Sequence, residues 1–314
     1  MVNAADAAGA DTDVPWISRV PPGATICEET IMTTERIHGA ASDDGTKIVG
    51  RIEGEGPSLV LVHGMIGDGD TAWRELTPRL TDGFTCHLPS VRGRGLSGDH
   101  PDHTIARWCE DITAYVASLD EPACLLGWSG GGPLVLAAAE RLGTVTAVAT
   151  WESGASPLDA PPVLMEDLGR LFPAIEQVGI AASEGRMTDA VQAFLAGICN
   201  DKEIAALEGT DFHERWADGI PDMLVGFQNM QAETSLGSFA PEELAKITAP
   251  TAFFVAAETL LDRGFPAAAE HLARQIDGAE VRVVAGVGHF APIVAPEVVA
   301  AEVAGFFELV LQPA

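Results

Sequence analysis

A serine between glycines carries the strongest chemical signal in this sequence. Residues 127–131 read GWSGG, directly after the apolar run 123–128 and directly before a helical stretch. On a turn between a strand and a helix, glycines let the chain bend tightly, and the strained turn lifts the serine hydroxyl above the sheet edge. The helix that starts there directs free N–H groups toward developing negative charge. The pattern therefore predicts Ser129 as a nucleophile.

Two histidines stand beside glycines at the ends of strand-like runs. Residues 286–290 read GVGHF, and a histidine on such a loop can reach a serine on a neighbouring strand, so we predict His289 as the general base. Residues 61–65 read LVHGM. There the His-Gly step lets the backbone turn, and we expect the amides of Met65 and Gly130 to form an oxyanion hole. His63 itself is interpreted as structural. The residues expected to contact a substrate are Gly64, Trp128, Trp151, Trp216 and Phe290.

A sheet must bring these residues together, and the chain alternates short apolar runs with helical stretches. Predicted strands lie at 35–40, 47–53, 58–63, 84–88, 123–128, 145–152, 250–256 and 281–285, and predicted helices at 71–80, 104–119, 131–142, 265–275 and 296–311. Runs that are apolar on both faces belong inside a parallel sheet covered by helices. A turn signal at 42–45 indicates an antiparallel hairpin at the sheet edge. The prediction is an α/β fold with a mostly parallel, eight-stranded, doubly wound sheet.

The segment between residues 152 and 250 interrupts this alternation. Its helix-like stretches, at 165–178, 188–198, 202–208 and 221–233, predict a helical cap inserted after strand 6, over a pocket. The predicted domains are an N-terminal extension at 1–32, mobile over about the first 13 residues, a core at 33–154 and 246–314, and the cap at 155–245. The cap side chains expected to face the pocket are Met165, Leu168, Leu171, Phe172, Phe194, Trp216, Met223, Leu224 and Phe227.

From about residue 33 onward, the chain resembles the α/β-hydrolase superfamily. The resemblance rests on four segments in the family's order: His63-Gly64, residues 92–97 (RGRGLS), the GWSGG turn and Gly288-His289. It implies the α/β-hydrolase fold, attack of Ser129 on an acyl carbon, proton transfer to His289 and release of the acyl-enzyme by water. One departure is Ser90, where many relatives have Asp, and it removes no catalytic group.

The acid of the triad has three candidates. In most of the superfamily an Asp follows the seventh strand, and Thr259 fills that place here. Glu258 and Asp262 lie nearby and are kept as alternative acids. Glu152 ends the sixth strand, and its place resembles the acid position of haloalkane dehalogenases and zearalenone lactonases. A carboxylate there can meet Nδ1 of the histidine from the other side, so Glu152 is the first choice.

Composition narrows the set of partners. The 46 acidic residues outnumber 18 basic ones, and the formal charge of −28 disfavours nucleic acid, anionic membranes and polyanionic substrates. The five cysteines are widely spaced without a C-x-x-C pair, which argues against a disulfide framework and a zinc site and favours buried, reduced thiols such as Cys86 and Cys124. No phosphate loop, dinucleotide fingerprint or metal-ligand cluster is present, so we expect no cofactor and no metal.

The ends of the chain bear on location and assembly. The N-terminus has no basic region followed by a long apolar run, and no stretch reaches the roughly 20 apolar residues of a membrane helix. We therefore expect a cytoplasmic protein without a membrane partner. The apolar, proline-containing segment 14–31 is expected to pack on the cap or on a second subunit, which favours a homodimer.

A serine at the GWSGG turn points to esters, lactones, thioesters or activated amides, because dehalogenases and epoxide hydrolases of this superfamily use Asp there. An apolar, aromatic-rich pocket suits a hydrophobic small molecule. The resemblance to the lactonase arrangement makes a zearalenone-like macrolactone the first candidate substrate. A broad carboxylesterase for aryl or alkyl esters is the alternative. A catalytically silent binder of the same fold and a non-hydrolytic lyase or acyltransferase are the other classes left open.

Overall fold

A computed structural model describes residues 35–312. They contain one eight-stranded sheet with the order β1-β2-β4-β3-β5-β6-β7-β8. The strands are β1 (Arg36–Ala41), β2 (Lys47–Glu53), β3 (Ser58–Val62), β4 (Thr85–Pro89), β5 (Ala123–Trp128), β6 (Val145–Trp151), β7 (Thr251–Ala256) and β8 (Glu280–Val284). β1 pairs antiparallel with β2, and β2 pairs antiparallel with β4. All other neighbours are parallel, which confirms the predicted edge hairpin and the mostly parallel sheet.

The central strands are buried on both faces, and their register determines which loops lie side by side. Every residue of β3, β5 and β7 is buried, as expected for strands covered by helices on both faces. Trp128 at the end of β5 is in register with Trp151 at the end of β6, and Trp151 is in register with Phe254 of β7. The register therefore places the loops that follow β5, β6 and β7 side by side at the carboxyl edge.

Helices of the core alternate with the strands. They are α1 (Gly69–Trp73), α2 (Ile105–Ala117), α3 (Gly132–Arg141), α10 (Gly264–Ala273), α11 (Ala291–Val294) and α12 (Pro296–Leu311). One helical prediction was wrong: the stretch 71–80 is not a single helix but α1 followed by a 3₁₀ turn at Thr77–Arg79. Pro78 lacks an N–H to continue the α-helical ladder, and it is the second residue of the tighter turn that begins at Thr77.

Six helices occupy the chain between β6 and β7. They are α4 (Pro162–Ser183), α5 (Met187–Ile198), α6 (Asp201–Leu207), α7 (Phe212–Ala217), α8 (Ile220–Ala232) and α9 (Pro241–Leu244). α4 packs along α5, and α5 contacts α7. Sequence periodicity missed α7, because a helix of six residues is too short to show a repeated apolar face. The buried Trp216 lies on this helix.

The predicted N-terminal extension at 1–32 lies outside the described residues, as does Cys27. The four cysteines that the structure describes are buried and form no disulfide. They are Cys86, Cys109, Cys124 and Cys199. Burial raises the pKa of the Cys86 and Cys124 thiols to about 12, so both stay protonated and pack as small apolar groups.

Candidate active site

The turn after β5 presents Ser129 at the carboxyl edge of the sheet. Ser129 has a φ of 52° and opens a 3₁₀ turn that runs directly into α3. Neighbouring backbone atoms leave no room for a side chain at the flanking glycines. A Cβ at Gly127 would lie 2.5 Å from the carbonyl oxygen of Gly131, and one at Gly131 would overlap the carbonyl oxygen of Val62. The serine therefore sits on a strained, closely packed turn with its side chain partly accessible.

His289 lies on the loop after β8 and is buried. Its Nδ1 lies 3.1 Å from Oε2 of Glu152, the residue that follows β6. The other carboxylate oxygen of Glu152 accepts a hydrogen bond of 3.0 Å from the backbone N–H of Ala256. The ring of Phe265 stacks on the imidazole, with centroids 5.0 Å apart and an interplanar angle of 3°. Indole Nε1 of Trp128 donates to the carbonyl oxygen of His289 at 3.0 Å. These contacts hold the imidazole so that Nδ1 faces the carboxylate and Nε2 is left for another partner.

The three candidate acids are placed differently. Glu152 is buried against the imidazole, as described above. The carboxylate of Glu258 forms a surface ion pair with Lys202 at 2.7 Å. Asp262 is exposed, and neither it nor Glu258 contacts His289. Of the three candidate acids, the sheet therefore brings Glu152 to His289.

The amides of Met65 and Gly130 lie next to each other and next to Ser129. A Cβ at Gly130 would lie 3.3 Å from the backbone nitrogen of Met65 and 2.8 Å from its sulfur. A Cβ at Gly64 would lie 3.3 Å from Cβ of Ser129. A side chain at either glycine would therefore crowd Met65 or Ser129. Two backbone N–H groups at such a place can stabilise an oxyanion.

Ser129 and His289 line one cavity of about 130 Å³. Other predicted site residues also line it, namely Gly64, Met65, Trp128, Gly130, Trp216 and Phe290. The remaining wall is apolar and comes largely from the cap and from Phe265. The cap side chains in this wall are Leu168, Leu171, Phe194, Ile198, Trp216, Phe227 and Met230. Ser129 and His289 thus meet in one mostly apolar pocket, and the Glu152 carboxylate lies behind the imidazole, outside the lining.

A family model described as the alpha/beta hydrolase family matches residues 59–302. The chain belongs to this family. A solved alpha/beta hydrolase from Sphaerobacter thermophilus is similar over 86% of this chain and all of its own, with a TM-score of 0.61 and 26% identity. A thermophilic esterase from Thermogutta terrifontis, 20% identical, has the same fold over 88% of this chain and all of its own, with a TM-score of 0.66.

Curated relatives align over a shorter part of the chain. A pyrrolizixenacetamide deacetylase from Xenorhabdus hominickii is 38% identical over 93 residues, which are 28% of this chain and 34% of that protein. A pimeloyl-[acyl-carrier protein] methyl ester esterase from Stenotrophomonas maltophilia is 40% identical over 98 residues, 31% of this chain and 36% of that protein. The matched segments therefore span about a third of the length of these relatives.

Two features of the described chain bear on other classes of function. Within residues 35–312, no three His, Cys, Asp or Glu side chains are grouped so that they could hold a metal ion. In the same part of the chain, no helix has both the length and the apolar character needed to cross a membrane.

Several residues expected in the pocket lie elsewhere. Trp151 is fully buried and does not line the cavity, because its ring stacks on Phe254 of the neighbouring strand with centroids 6.3 Å apart. Met165 and Phe172 lie on solvent-exposed parts of α4. Met223 and Leu224 do not reach the cavity either, and Met223 is buried inside the fold. Amphipathic spacing identifies the apolar face of a cap helix but not what covers that face.

Glu203, a buried carboxylate beside the loop of His289, was not singled out in the sequence analysis. It lies on α6 of the cap, and its Oε1 accepts a hydrogen bond of 2.7 Å from the backbone N–H of Phe290. Its Oε2 accepts from the N–H of Asn200 at 3.1 Å, which forms a capping box. Burial raises the pKa of Glu203 above its ordinary value. The hydrogen bond from the Asn200 N–H and the nearby His289 offset only part of this rise. The N-x-x-E spacing signals the start of α6, but only the fold shows that this carboxylate holds the histidine loop.

Arg94 is the second residue that sequence reasoning missed. Its Nη1 donates to the carbonyl oxygens of Gly64 at 3.3 Å and Gly67 at 3.2 Å. Its Nε and Nη2 have no hydrogen-bond partner, and its guanidinium lies 5.5 Å from the ring centre of Trp108. Burial lowers the pKa of Arg94 to about 10, so the side chain remains cationic at neutral pH. A buried, half-partnered cation lowers the stability of the fold, which points to a role for Arg94 other than stability.

His63 is a second side chain that holds the Gly64 carbonyl, next to the Met65 amide. Its Nδ1 donates to the carbonyl oxygen of Gly64 at 2.9 Å, and its Nε2 accepts from the N–H of Val91 at 3.3 Å. Burial and the nearby Arg94 lower the pKa of His63 to about 4, so the ring is neutral. In a trans peptide the C=O and N–H point in opposite directions. The two donors on the Gly64 carbonyl therefore fix the direction of the Met65 N–H.

Proposed function

We propose that this protein is a serine-dependent carboxylic-ester hydrolase that works through an acyl-enzyme. The observation that carries the proposal is the convergence of Ser129 and of His289, with its Nδ1 on Glu152, in one apolar cavity. In this mechanism Ser129 is the nucleophile, His289 is the general base and acid, and Glu152 orients and stabilises the imidazolium. The amides of Met65 and Gly130 bind the oxyanion.

The proposed reaction has two steps, acylation of Ser129 and hydrolysis of the acyl-enzyme. His289 Nε2 takes the proton of Ser129 as Oγ forms a bond to the ester carbon, and the oxyanion is held by the two amides. The bond to the alkoxy oxygen then breaks, and the imidazolium returns the proton to that leaving oxygen. In the second step, a water molecule gives a proton to His289 and attacks the acyl carbon. The C–Oγ bond breaks, the proton returns to Ser129, and a carboxylic acid is released.

The cavity wall supports a hydrophobic, weakly charged substrate. Its cap side chains are aliphatic or aromatic, and the chain carries a formal charge of −28, which disfavours anionic ligands. The names of similar proteins, two esterases and a deacetylase, fit acyl transfer to water. Within this class, a hydrophobic lactone is the first candidate. The features that favour it are the acid after β6 and the large cap, because both resemble the lactonase arrangement. Linear aryl or alkyl esters are the alternative.

The test uses a set of 4-nitrophenyl esters and a hydrophobic macrolactone with the full-length protein. Hydrolysis by the wild type and its loss in Ser129→Ala would support the proposal, and Ser183→Ala, at an exposed serine that does not line the cavity, is the matched control. A fluorophosphonate probe reports on the nucleophile independently of the substrate. Labelling in the wild type and the control but not in Ser129→Ala supports an active serine. An unlabelled wild type that hydrolyses no ester contradicts the proposal and favours a silent binder.

A further inference from the structure

Asp167, on α4 of the cap, is a buried carboxylate that takes no part in the proposed steps of ester hydrolysis. Its Oδ2 accepts hydrogen bonds from the backbone N–H groups of Gly264 at 2.8 Å and Arg263 at 3.3 Å. Its Oδ1 accepts from the guanidinium of Arg263 at 2.6 Å, and Arg170, one turn along α4, adds an ion pair at 3.2 Å. A buried charge is tolerated when it is paired and hydrogen-bonded in this way.

The backbone groups that donate to Asp167 lie at the start of α10. Within residues 35–312, the side chain of the N-cap residue Arg263 makes no capping hydrogen bond. Asp167 takes over the capping role from another helix, and the positive end of the helix dipole favours its negative charge. Gly264 permits the close approach, since a Cβ there would lie 3.1 Å from Cβ of Asp167. The carboxylate on the cap therefore fixes the position of the first turn of α10.

The residue after Gly264 is Phe265, whose ring contacts the imidazole of His289. The two rings are parallel to within 3°, and their centroids lie 5.0 Å apart. Phe265 is buried and also lines the cavity that contains Ser129. Because Gly264 and Phe265 are neighbours in the first turn of α10, a shift of the helix start moves the ring as well. Asp167 is thus linked to the face of the imidazole through two consecutive residues.

Glu203 makes a comparable contact with the loop of His289 itself. Its carboxylate accepts a hydrogen bond from the N–H of Phe290, the residue after His289. Two buried carboxylates of the cap, Asp167 on α4 and Glu203 on α6, therefore each hold a backbone N–H next to the imidazole or next to the ring stacked on it. Glu152 holds the Nδ1 edge of the same imidazole. A general base needs this kind of fixed orientation to take a proton efficiently.

We propose that Asp167 is a positioning residue for ester hydrolysis. By capping α10 it holds Phe265 against the imidazole of His289, so that the cap helps to set the orientation of the general base. This inference rests on the proposed function, because it concerns the same base. Leu168, the next residue on α4, lines the cavity. One turn of this cap helix therefore contacts both the space for the substrate and the support of the base.

The experiment measures kcat and KM of the full-length protein for 4-nitrophenyl acetate. Asp167→Ala should lower kcat about 10–100-fold and leave KM within about twofold, because a displaced base slows proton transfer while the cavity wall is kept. The rate constant for labelling by a fluorophosphonate should fall by a similar factor, since that reaction also needs the base. Asp167→Asn keeps an acceptor for the Gly264 N–H and should recover part of kcat. Glu166→Ala is the matched control, because it removes an exposed carboxylate of the same helix that pairs with Arg263 at 3.5 Å.

A double-mutant cycle with Phe265→Leu separates positioning of the base from a general loss of structure. If Asp167 acts through Phe265, Asp167→Ala should lower kcat by less than about twofold in the Phe265→Leu background. Equal losses in both backgrounds would overturn the proposal, because Asp167 would then support the fold without acting through the ring. If thermal unfolding shows that Asp167→Ala is not folded, Asp167→Asn takes its place in the cycle, and its loss of kcat should likewise shrink in the Phe265→Leu background.

The failure of this proposal differs from the failure of the proposed function. An active wild type with the same kcat in Asp167→Ala and Glu166→Ala overturns the role of Asp167, while ester hydrolysis stands. A wild type that neither hydrolyses the ester nor reacts with the fluorophosphonate overturns the proposed function and the role of Asp167 with it.

Discussion

Ser129 and Glu152 share a backbone conformation that is rare for residues with side chains. They follow the paired residues Trp128 and Trp151 at the ends of neighbouring parallel strands, and their φ angles are 52° and 46°. Between residues 35 and 312, they are the two non-glycine residues with positive φ. Such strain persists where the surrounding structure and a function require it. The same sheet edge therefore holds two strained residues one strand apart, Ser129 as the proposed nucleophile and Glu152 as the proposed acid.

This relationship leads to a prediction about the acid. Glu152→Gln should lower kcat for an aryl ester by roughly 10³–10⁴-fold, because the amide cannot stabilise the imidazolium by charge and disturbs its tautomer. Glu258→Gln is the matched control, and it removes an exposed ion pair of small energetic weight. Steady-state kinetics on both variants check the prediction. Near wild-type turnover in Glu152→Gln, with a loss in Glu258→Gln, would assign the acid to the loop after β7.

Arg94 offers a prediction in which activity and stability change in opposite directions. Arg94→Met removes a donor from the Gly64 carbonyl and a buried, half-partnered cation. We expect kcat to fall about 10–100-fold with KM little changed, since the Met65 N–H loses its fixed direction toward the oxyanion. The free energy of unfolding should stay the same or rise.

Two further measurements separate this role from general damage to the fold. The affinity for a trifluoromethyl ketone, which mimics the tetrahedral intermediate, should fall in parallel with kcat/KM in Arg94→Met. Arg94→Lys keeps a donor and a charge and should recover part of kcat. Loss of unfolding free energy together with unchanged kcat would show that Arg94 serves only packing.

Glu203 links the cap to the histidine loop. Glu203→Ala leaves the buried N–H of Phe290 without an acceptor, which should lower the free energy of unfolding by about 1–3 kcal/mol. It should also lower kcat, because His289 precedes Phe290 and loses its anchor. Glu203→Gln retains one acceptor oxygen and should recover part of both losses. Urea unfolding and ester kinetics test this, and unchanged kcat in Glu203→Ala would show that the loop holds its place without the cap.

The stability of the fold should depend on pH through buried neutral histidines. Burial lowers the pKa of His87, and also that of His63, to about 4. Unfolded histidine titrates near 6.5, so below about pH 6.5 the unfolded chain binds more protons than the folded one. The free energy of unfolding should therefore fall with pH down to about 4, by up to about 1.4 kcal/mol per pH unit for each histidine.

Urea unfolding of the wild type and of His87→Gln at several pH values measures this slope. Glutamine can still hydrogen-bond to Ser58, and the variant should show a shallower decline of the free energy of unfolding than the wild type. His100→Gln, at an exposed histidine, is the matched control. The raised pKa values of Glu203 and Asp222 act in the opposite direction at acidic pH, so the comparison rests on the difference between variants. An equally steep slope in His87→Gln would contradict the prediction.

Much of this architecture is encoded locally, in short stretches of the sequence. The predicted strands agree with the observed ones to within about one residue at each end. The central strands are recognisable because a strand buried on both faces is apolar over most of its length, without alternating polar positions. The turn around Ser129 and the loop of His289 are recognisable because glycines must stand where the backbone passes too close for a Cβ. The six-residue helix α7, with Trp216, gave no comparable local signal.

Tertiary structure alone decided which distant groups meet. The sequence left Glu152, Glu258 and Asp262 open as acids, and the register of β5, β6 and β7 brought Glu152 to His289, 137 positions away in the chain. Arg94 and Glu203 also make contacts with segments distant in the chain, which the sequence does not reveal. Trp151 faces Phe254 of the neighbouring strand and not the pocket. Local patterns depend on neighbours along the chain, whereas burial, charge pairing and pocket walls depend on neighbours in space, which only the folded chain defines.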